Sequence, residues 1–167
     1  MSYLAEPLGD HHDLAGFECG NDELNAWLRL YARTATGQGT RTYVVVDEDG
    51  DVVGYFAIAP HTIDREHLSK SQGRGAPRQI PAVLLAKVAL DRRLHGQRLG
   101  SELLIVALTT IVEAARRVGG KMVVVDAIDE AALGFYLHHE FAAIPGNPHR
   151  LVRKLSTIAT ALDLPWP

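Results

Sequence analysis

The stretch VLLAKVALDRRLHGQRLGSELLIVALTTIVEAARRVGGKMVVVDAI, residues 83–128, decides the fold of this chain. Two short apolar runs lie on either side of a longer segment whose apolar residues recur at helical spacing. A short, nearly continuous apolar run is typical of a strand buried on both faces. We therefore predict strand 83–91, helix 101–118 and strand 121–128. This is a βαβ unit, so its strands are expected to be parallel with a right-handed crossover.

The rest of the chain predicts further helices and an antiparallel hairpin around this unit. Residues 60–79 are polar and predict a long loop, which in a compact domain is often functional. Together the elements predict an α/β fold of the α+β type, a central mixed β-sheet with helices on both faces. The other predicted elements are a helix capped by Asn21 and running to Ala35, strands 41–48 and 52–59 joined by the turn 47–50, a helix over 130–139 capped by Asp129, and a last strand over 149–155.

Composition predicts one globular domain that spans residues 1–167. Hydrophobic residues make up 47% of the 167 positions and charged residues 22%, the balance of a folded protein. Cys19 is the single cysteine and cannot form an intramolecular disulfide, which favours the reducing cytoplasm. Residues 1–10 lack a signal-peptide pattern, and no apolar run approaches the roughly 20 residues of a membrane span. The net charge of -3 argues against nucleic-acid binding by the whole surface, but it leaves a local basic patch open.

The connection between strand 83–91 and helix 101–118 has the features of an anion-binding loop. Free backbone N–H groups at the start of a long helix, together with its dipole, attract negative charge. Gly96 and Gly100 remove side chains where a phosphate would approach closely. These features indicate a phosphate-bearing ligand without specifying which one. An ordinary turn between strand and helix is the alternative.

The run His95-Gly96-Gln97-Arg98-Leu99-Gly100 resembles the pyrophosphate loop of the GNAT acetyltransferase family, Gln/Arg-x-x-Gly-x-Gly/Ala. His95 stands where Gln or Arg is usual, and Arg98 stands where the first glycine belongs. The Cβ of Arg98 occupies space that the pyrophosphate would approach, whereas its charge offers a partner for a phosphate. The resemblance implies a GNAT fold with acetyl-CoA as co-substrate, held by the backbone of Val88 and Leu90 and by His95, Gly96, Gln97, Arg98, Leu99, Gly100 and Ser101.

An ordered set of segments resembles one subgroup, the GNAT toxins of bacterial toxin–antitoxin modules. The subgroup resemblance implies a type II toxin that transfers acetyl from acetyl-CoA to the α-amine of aminoacyl-tRNA and so blocks translation. It also implies a homodimer and a ribbon-helix-helix antitoxin as partner. The matching segments are residues 17–28, 54–57, 80–82, 85–91, 126–127 and 135–136.

The same resemblance assigns Tyr136 as the general acid that protonates the departing thiolate. A phenol with a pKa of about 10 is protonated at neutral pH and can serve as the donor. The alternative is a packed aromatic beside Phe135. The sequence contains no convincing general base. An α-amine titrates near about 8, far below a lysine side chain, so a useful fraction is already neutral, which weakly favours the charged-tRNA substrate.

A tRNA substrate requires local positive charge, because phosphate contacts dominate affinity. For each candidate residue the alternative is a solvated surface charge. Lys87 interrupts an apolar strand and therefore needs a partner or a path to water. Neutralising Arg78 and Arg93 together is expected to weaken tRNA binding and its salt dependence. The candidates are Arg29 and Arg33 on the first helix, Lys70, Arg74 and Arg78 in segment 60–79, and Lys87, Arg92 and Arg93 near the loop.

Other functions remain open at the level of sequence. The chain is compatible with a GNAT enzyme that acts on a small amine or a protein N-terminus. Because of Arg98, it is also compatible with a degenerate GNAT scaffold that serves only as a binding module. A metal site is not expected, since the adjacent pairs His11-His12 and His138-His139 point to different faces and only one cysteine is present.

Overall fold

The computed structural model describes residues 4–167, and its strands form one seven-stranded mixed sheet in the order β1-β2-β3-β4-β5-β7-β6. The strands are β1 Ala5–Pro7, β2 Arg41–Val46, β3 Val52–Asp64, β4 Gln79–Leu90, β5 Met122–Asp126, β6 Ala142–Ile144 and β7 Asn147–Lys154. The helices are α1 Asp22–Ala26, a π-helical turn Trp27–Tyr31, α2 Ala32–Thr36, α3 Lys70–Gly73, α4 Leu99–Val118, α5 Glu130–His138 and α6 Leu155–Ala161. None of these helices is long and apolar enough to cross a membrane.

The predicted βαβ unit is confirmed. Strands β4 and β5 are parallel, with Ala82 opposite Met122 and Leu85 opposite Val125, and α4 connects them. The predicted hairpin is also confirmed, because β2 and β3 pair antiparallel. Asp47 Oδ1 accepts hydrogen bonds from the backbone of Asp49 and Asp51 and so stabilises the turn between them. The Asn21 cap is confirmed by the hydrogen bond from Leu24 N to its side chain.

The predicted loop over residues 60–79 is wrong, because most of this segment is regular. Strand β3 continues to Asp64, a 3₁₀ turn covers Arg65–His67, and helix α3 follows. Ser69 and Gln72 form a reciprocal capping box, in which each side chain accepts from the backbone of the other. This local exchange of hydrogen bonds stabilises a single helical turn that hydrophobic periodicity does not reveal.

Two short strands, β1 and β6, were not predicted from the sequence. Each has three residues and pairs antiparallel with a longer neighbour, β1 with β2 and β6 with β7. Three residues are too few to show an alternating pattern, so their structure depends on the neighbouring strand. The predicted first helix is confirmed as a helical stretch from Asp22 to Thr36, in which a π-helical turn separates the two α-helical segments α1 and α2.

The chain divides into two compact units. The first contains residues up to Ala59 together with Ala86–Leu108, and the second contains Pro60–Leu85 and Thr109–Pro167. In the first unit, Phe17, Leu28 and Tyr55 belong to one buried cluster. In the second unit, Ile80, Met122 and Val124 belong to another buried cluster. Full burial of side chains of this size contributes about 1.5–3 kcal/mol each, so each unit has its own source of stability.

Candidate active site

Strand β4 extends beyond its parallel partner. Its register with β5 ends at Leu85 opposite Val125, but β4 continues as far as Leu90. Val88 in this extension is half-buried, whereas Ala89 and Leu90 are buried. The expectation of a strand buried on both faces is therefore wrong for part of β4. The half-open extension gives an extended ligand access to strand backbone, which can bind in the manner of an added strand.

Asp91 anchors the chain where β4 ends and the loop begins. Asp91 is 2% exposed, and its carboxylate accepts from the N–H of Arg93 and from Arg93 Nε, both at 3.0 Å. It also accepts from the N–H of Glu18 at 3.2 Å, and Arg92 N donates to Glu18 O at 2.8 Å. Burial works to raise the pKa of Asp91, but these hydrogen bonds outweigh burial and hold the pKa below its usual value. Sequence reasoning missed this role, because only the contact between distant segments reveals it.

The loop keeps a left-handed backbone at two positions. Gly96 has φ +79° and Arg98 has φ +61°. For a residue with a Cβ this conformation costs roughly 1–2 kcal/mol, so Arg98 carries a strain that glycine at the same place would avoid. The loop thus retains a glycine-like backbone at the position where the family motif has glycine. Arg98 is exposed, and its side chain bonds to no other residue within 4–167.

The remaining loop residues fit a phosphate-bearing ligand. His95 Nε2 donates to Leu90 O at 2.8 Å and fastens the loop to the end of β4. Residues 95–98 are exposed, and helix α4 begins at Leu99, two residues earlier than predicted. Residues 95–101 contain no carboxylate, and the first N–H groups of a 20-residue helix lack helical acceptors. The donors of this loop therefore suit the pyrophosphate of acetyl-CoA.

Tyr136 lies in the second unit, on helix α5. Asp129 Oδ1 accepts from Ala132 N at 2.8 Å and caps this helix as predicted. The Tyr136 ring is 8% exposed and packs edge-on against Phe135 and Phe141, with ring centroids 5.5 and 5.6 Å away. Burial raises the pKa of Tyr136 to about 12, so the hydroxyl keeps its proton at neutral pH. No hydrogen bond joins this hydroxyl to another residue of the described chain.

A polar cluster in the same unit joins three strands. Arg150 on β7 forms a two-point ion pair with Asp126 at the end of β5, and both N···O distances are 2.8 Å. Arg150 Nη1 also lies 3.2 Å from Nε2 of His61 on β3. Burial, followed by the charge of Arg150, lowers the pKa of His61, and Asp126 opposes them. Sequence reasoning missed this cluster, because its members are far apart along the chain.

Comparison with known proteins identifies the family. Residues 10–141 match the model of the acetyltransferase (GNAT) family. The chain belongs to the GNAT family. It is 32% identical over 154 residues to the "tRNA-acetylating toxin" of Mycobacterium tuberculosis (strain ATCC 25618 / H37Rv), which covers 91% of this chain and 93% of that protein.

Solved GNAT structures resemble the chain over nearly its whole length. A tyrosine-to-phenylalanine mutant of KacT superposes with a TM-score of 0.87 at 28% identity, covering 96% of this chain and 99% of that one. AtaT complexed with acetyl-methionyl-tRNAfMet gives 0.85 at 29% identity with the same coverage. A mutant AtaT toxin bound to the C-terminus of the antitoxin AtaR and acetyl-CoA gives 0.80 at 26% identity, covering 96% and 98%. The predicted GNAT fold is confirmed, and acetyl-CoA is the acetyl donor of this enzyme family.

Four of the eight basic residues expected to bind tRNA have side-chain partners within the described part of this GNAT chain. Arg29 donates to Phe17 O, and Arg33 donates to His12 O at 2.7 Å. Lys87 Nζ lies 5.7 Å from the centroid of the Trp27 ring, which supplies the partner that its position in an apolar strand requires. Arg93 pairs with Asp91, and a second carboxylate, Asp51, lies 3.9 Å away. Arg78 and Arg92 are exposed, and their side chains form no hydrogen bond or ion pair within residues 4–167.

Two groups of potential metal ligands occur in the described part of the chain. Glu6, His11 and His12 place ligand atoms within 4.8 Å of one another. His12 Nδ1 accepts from Gly9 N at 2.9 Å, so Nε2 carries the proton that binds Glu6 at 2.7 Å. Both ring nitrogens of His12 are therefore already used. The other group, Asp64, Glu66 and His67, is partly exposed and resembles ordinary surface acids.

Proposed function

We propose that this GNAT enzyme is the toxin of a type II toxin–antitoxin system. It transfers acetyl from acetyl-CoA to the α-amine of aminoacyl-tRNA and thereby blocks translation. The observation that carries the proposal is the 32% identity, over nearly the whole chain, to a protein named tRNA-acetylating toxin. The likeness to AtaT complexed with acetyl-methionyl-tRNAfMet supports the same substrate class.

The loop and the end of β4 are proposed to hold the acetyl donor. Acetyl-CoA supplies an activated acetyl thioester. The backbone of Val88 and Leu90 binds the extended arm, and residues 95–101 bind the pyrophosphate. Support comes from the exposed loop, from the start of α4 and from the free charge of Arg98. These interactions fix the donor, and fixed geometry is a large part of the rate enhancement in acyl transfer.

Tyr136 is proposed as the general acid. It holds a proton at Oη and gives it to the departing thiolate as the C–S bond breaks, and the proton that the attacking amine loses restores the phenol. Two observations support this role. The pKa of Tyr136 is raised by burial, so the proton is present at neutral pH. The hydroxyl has no hydrogen-bond partner within residues 4–167, so the proton is not committed to another protein group.

A dedicated general base is not required by this proposal. His61 is unsuited to the role, because Arg150 already donates to the lone pair of its Nε2. The α-amine of an aminoacyl ester has a pKa of about 8 or lower, so a useful fraction is neutral at pH 7. An acceptor lysine would lack this advantage. The proposed substrate therefore agrees with the chemistry that the chain supplies.

The proposal extends to domain, partners and location. We regard residues 1–167 as one GNAT domain, supported by β3, β4 and α4, each of which contributes residues to both compact units. AtaT has been solved with the C-terminus of its antitoxin AtaR, which supports an antitoxin partner here. We propose that this partner is a ribbon-helix-helix protein, that the enzyme is a homodimer, and that it acts in the cytoplasm. The proposed tRNA contacts are Arg29, Arg33, Arg78, Lys87, Arg92 and Arg93. Arg78 and Arg92 are the stronger candidates, because their side chains form no hydrogen bond or ion pair within residues 4–167.

The test is incubation of the purified protein with acetyl-CoA and a mixed pool of charged tRNA, followed by mass spectrometry of the amino acids released from the tRNA. N-acetylated amino acids are the expected product, and their masses identify which tRNAs are modified. Uncharged tRNA and Tyr136→Phe serve as controls. Acetyl-CoA binding without tRNA product would redirect the function to a small amine or a protein N-terminus. Absence of both would indicate a degenerate scaffold.

A further inference from the structure

The second compact unit contains a basic pocket that the proposed mechanism does not use. Its volume is about 550 Å³. Four cationic side chains line it, Arg65, Lys70, Arg74 and Arg78, against one carboxylate, Glu66. The sequence predicts three of these cations only as separate residues of a loop. The 3₁₀ turn and α3 bring them together around one concavity, and they add Arg65.

Arg65 builds the wall of this basic pocket. Its Nη1 donates to Ala76 O at 2.8 Å, and its backbone N donates to Arg78 O at 2.8 Å. Lys70, Arg74 and Arg78 are exposed, and no hydrogen bond or ion pair engages their side chains within residues 4–167. Three uncommitted cations therefore line one cavity with a single acid beside them. Like charges that line one pocket repel one another, and an anion in the pocket would relieve that repulsion.

We propose that the basic pocket binds a backbone phosphate of the tRNA, a proposal that rests on the proposed function. Guanidinium groups match phosphate oxygens through two parallel hydrogen bonds, and two arginines here are free to form them. The volume exceeds that of one phosphate and leaves room for the adjoining sugar. The whole chain has a net charge of -3, so attraction of a polyanion depends on a local patch such as this one.

The lining of the pocket favours nucleic acid over an acidic peptide. Leu68 is its one large apolar side chain, and it is 8% exposed. A peptide partner typically anchors through apolar or aromatic side chains in desolvated pockets, and the basic pocket offers no such surface. Phosphate binding needs only charge and donors. A protein partner is therefore the less favoured occupant of the pocket, and the binding experiment distinguishes it from tRNA.

The experiment measures binding of the charged tRNA that the wild-type enzyme acetylates, across a range of salt concentrations. The double variant R74Q/R78Q is expected to weaken binding about tenfold at low salt. The slope of log affinity against log salt should fall by about 0.7–0.9 for each phosphate that the variant no longer binds. R117Q, which removes the same kind of charge from an exposed position on α4, is the matched control and should keep the wild-type slope. Acetyl-CoA affinity and Tm should remain unchanged in all three proteins.

A second variant perturbs the pocket without changing its charge. A Cβ added at Gly73 would lie 2.8 Å from Arg65 Cγ, so Gly73→Ala forces Arg65 to move. This variant is expected to weaken tRNA binding several-fold with acetyl-CoA affinity intact. If the wild-type enzyme acetylates tRNA but R74Q/R78Q keeps the wild-type salt slope, the basic pocket does not bind a tRNA phosphate. The proposed function would remain valid. Weaker antitoxin binding with unchanged tRNA binding in R74Q/R78Q would also overturn phosphate binding by the pocket and leave the proposed function valid. A wild-type enzyme that neither binds nor acetylates charged tRNA would overturn both.

Discussion

The guanidinium of Arg150 donates a hydrogen bond to the imidazole of His61, with 3.2 Å between Nη1 and Nε2. A guanidinium has donors only, so Nε2 of His61 is the acceptor and the imidazole proton is on Nδ1. Asp126 holds the same guanidinium through two hydrogen bonds and fixes its orientation. A protonated His61 would present a second cation to Arg150. This arrangement therefore disfavours protonation of His61.

Removal of Arg150 is expected to raise the pKa of His61. Burial is the larger cause of its low pKa and remains, but the charge of Arg150 is removed while that of Asp126 is retained. The measurement is an NMR titration of the imidazole in wild type and Arg150→Gln. His139 is the internal control, because its pKa is lowered by burial, His138 and Arg153 instead. An unchanged His61 pKa in the variant would show that Arg150 does not act on it in solution.

The lowered pKa of His61 predicts how stability depends on pH. The folded-state pKa of His61 lies below its ordinary value of 6.5, so the unfolded chain binds the proton more readily. The free energy of unfolding should therefore fall as pH drops through and below about 6.5. Arg150→Gln should make this fall less steep. Urea denaturation at a series of pH values between neutral and weakly acidic tests the effect. A fall equally steep in the variant would contradict it.

Tyr136→Phe is expected to lower kcat by about 10²-fold or more, the usual contribution of a positioned proton donor. Stability and acetyl-CoA affinity should barely change, since the hydroxyl has no hydrogen bond to a described residue. Steady-state kinetics, calorimetry and thermal melting measure the three quantities. Tyr55→Phe is the matched control, because Tyr55 Oη donates to Leu24 O at 2.7 Å. Removal of that hydroxyl should cost about 1 kcal/mol of stability and spare kcat.

Arg98→Gly should raise the free energy of unfolding and weaken the binding of acetyl-CoA. Glycine adopts the left-handed backbone at this position without the Cβ penalty, so the free energy of unfolding should rise by about 1 kcal/mol. Removal of one charged hydrogen bond to a phosphate should weaken acetyl-CoA binding up to about tenfold. Chemical denaturation and calorimetry provide the two values. Arg98→Lys keeps the charge and should retain most of the affinity. Equal affinity in Arg98→Gly and wild type would exclude phosphate binding by this residue.

Asp91→Asn should destabilise the loop and the fold. The carboxylate is buried and accepts from Arg93 and Glu18, and an amide of the same size replaces one acceptor with a donor. The expected decrease is about 1–3 kcal/mol in urea denaturation. The pKa of Asp91 lies below its ordinary value of 3.8, so its contribution is present above that pH and is lost as pH falls below it. Equal stability of variant and wild type near neutral pH would refute this role.

The amino-acid sequence determined the βαβ unit, the hairpin, the caps at Asn21 and Asp129, and the short glycine-containing connection that leads into the long helix. Each of these features depends on residues close together in the chain, whose spacing, turn chemistry and capping side chains act locally. The sequence also indicated the GNAT family and, through it, acetyl-CoA. Assignments of individual site residues, Tyr136 above all, stay predictions until the variants are measured.

Only the tertiary structure decided which polar groups meet. It joined Asp91 to Glu18, Arg150 to His61 and Lys87 to Trp27, pairs that lie tens of residues apart along the chain. In the tertiary structure, the polar segment 60–79 forms the end of a strand, a helical turn and the wall of a basic pocket. Arg98 adopts a left-handed backbone. These outcomes depend on packing and on hydrogen bonds between distant segments. Local sequence patterns carry no information about such interactions, because their free energy arises only when the segments are brought together.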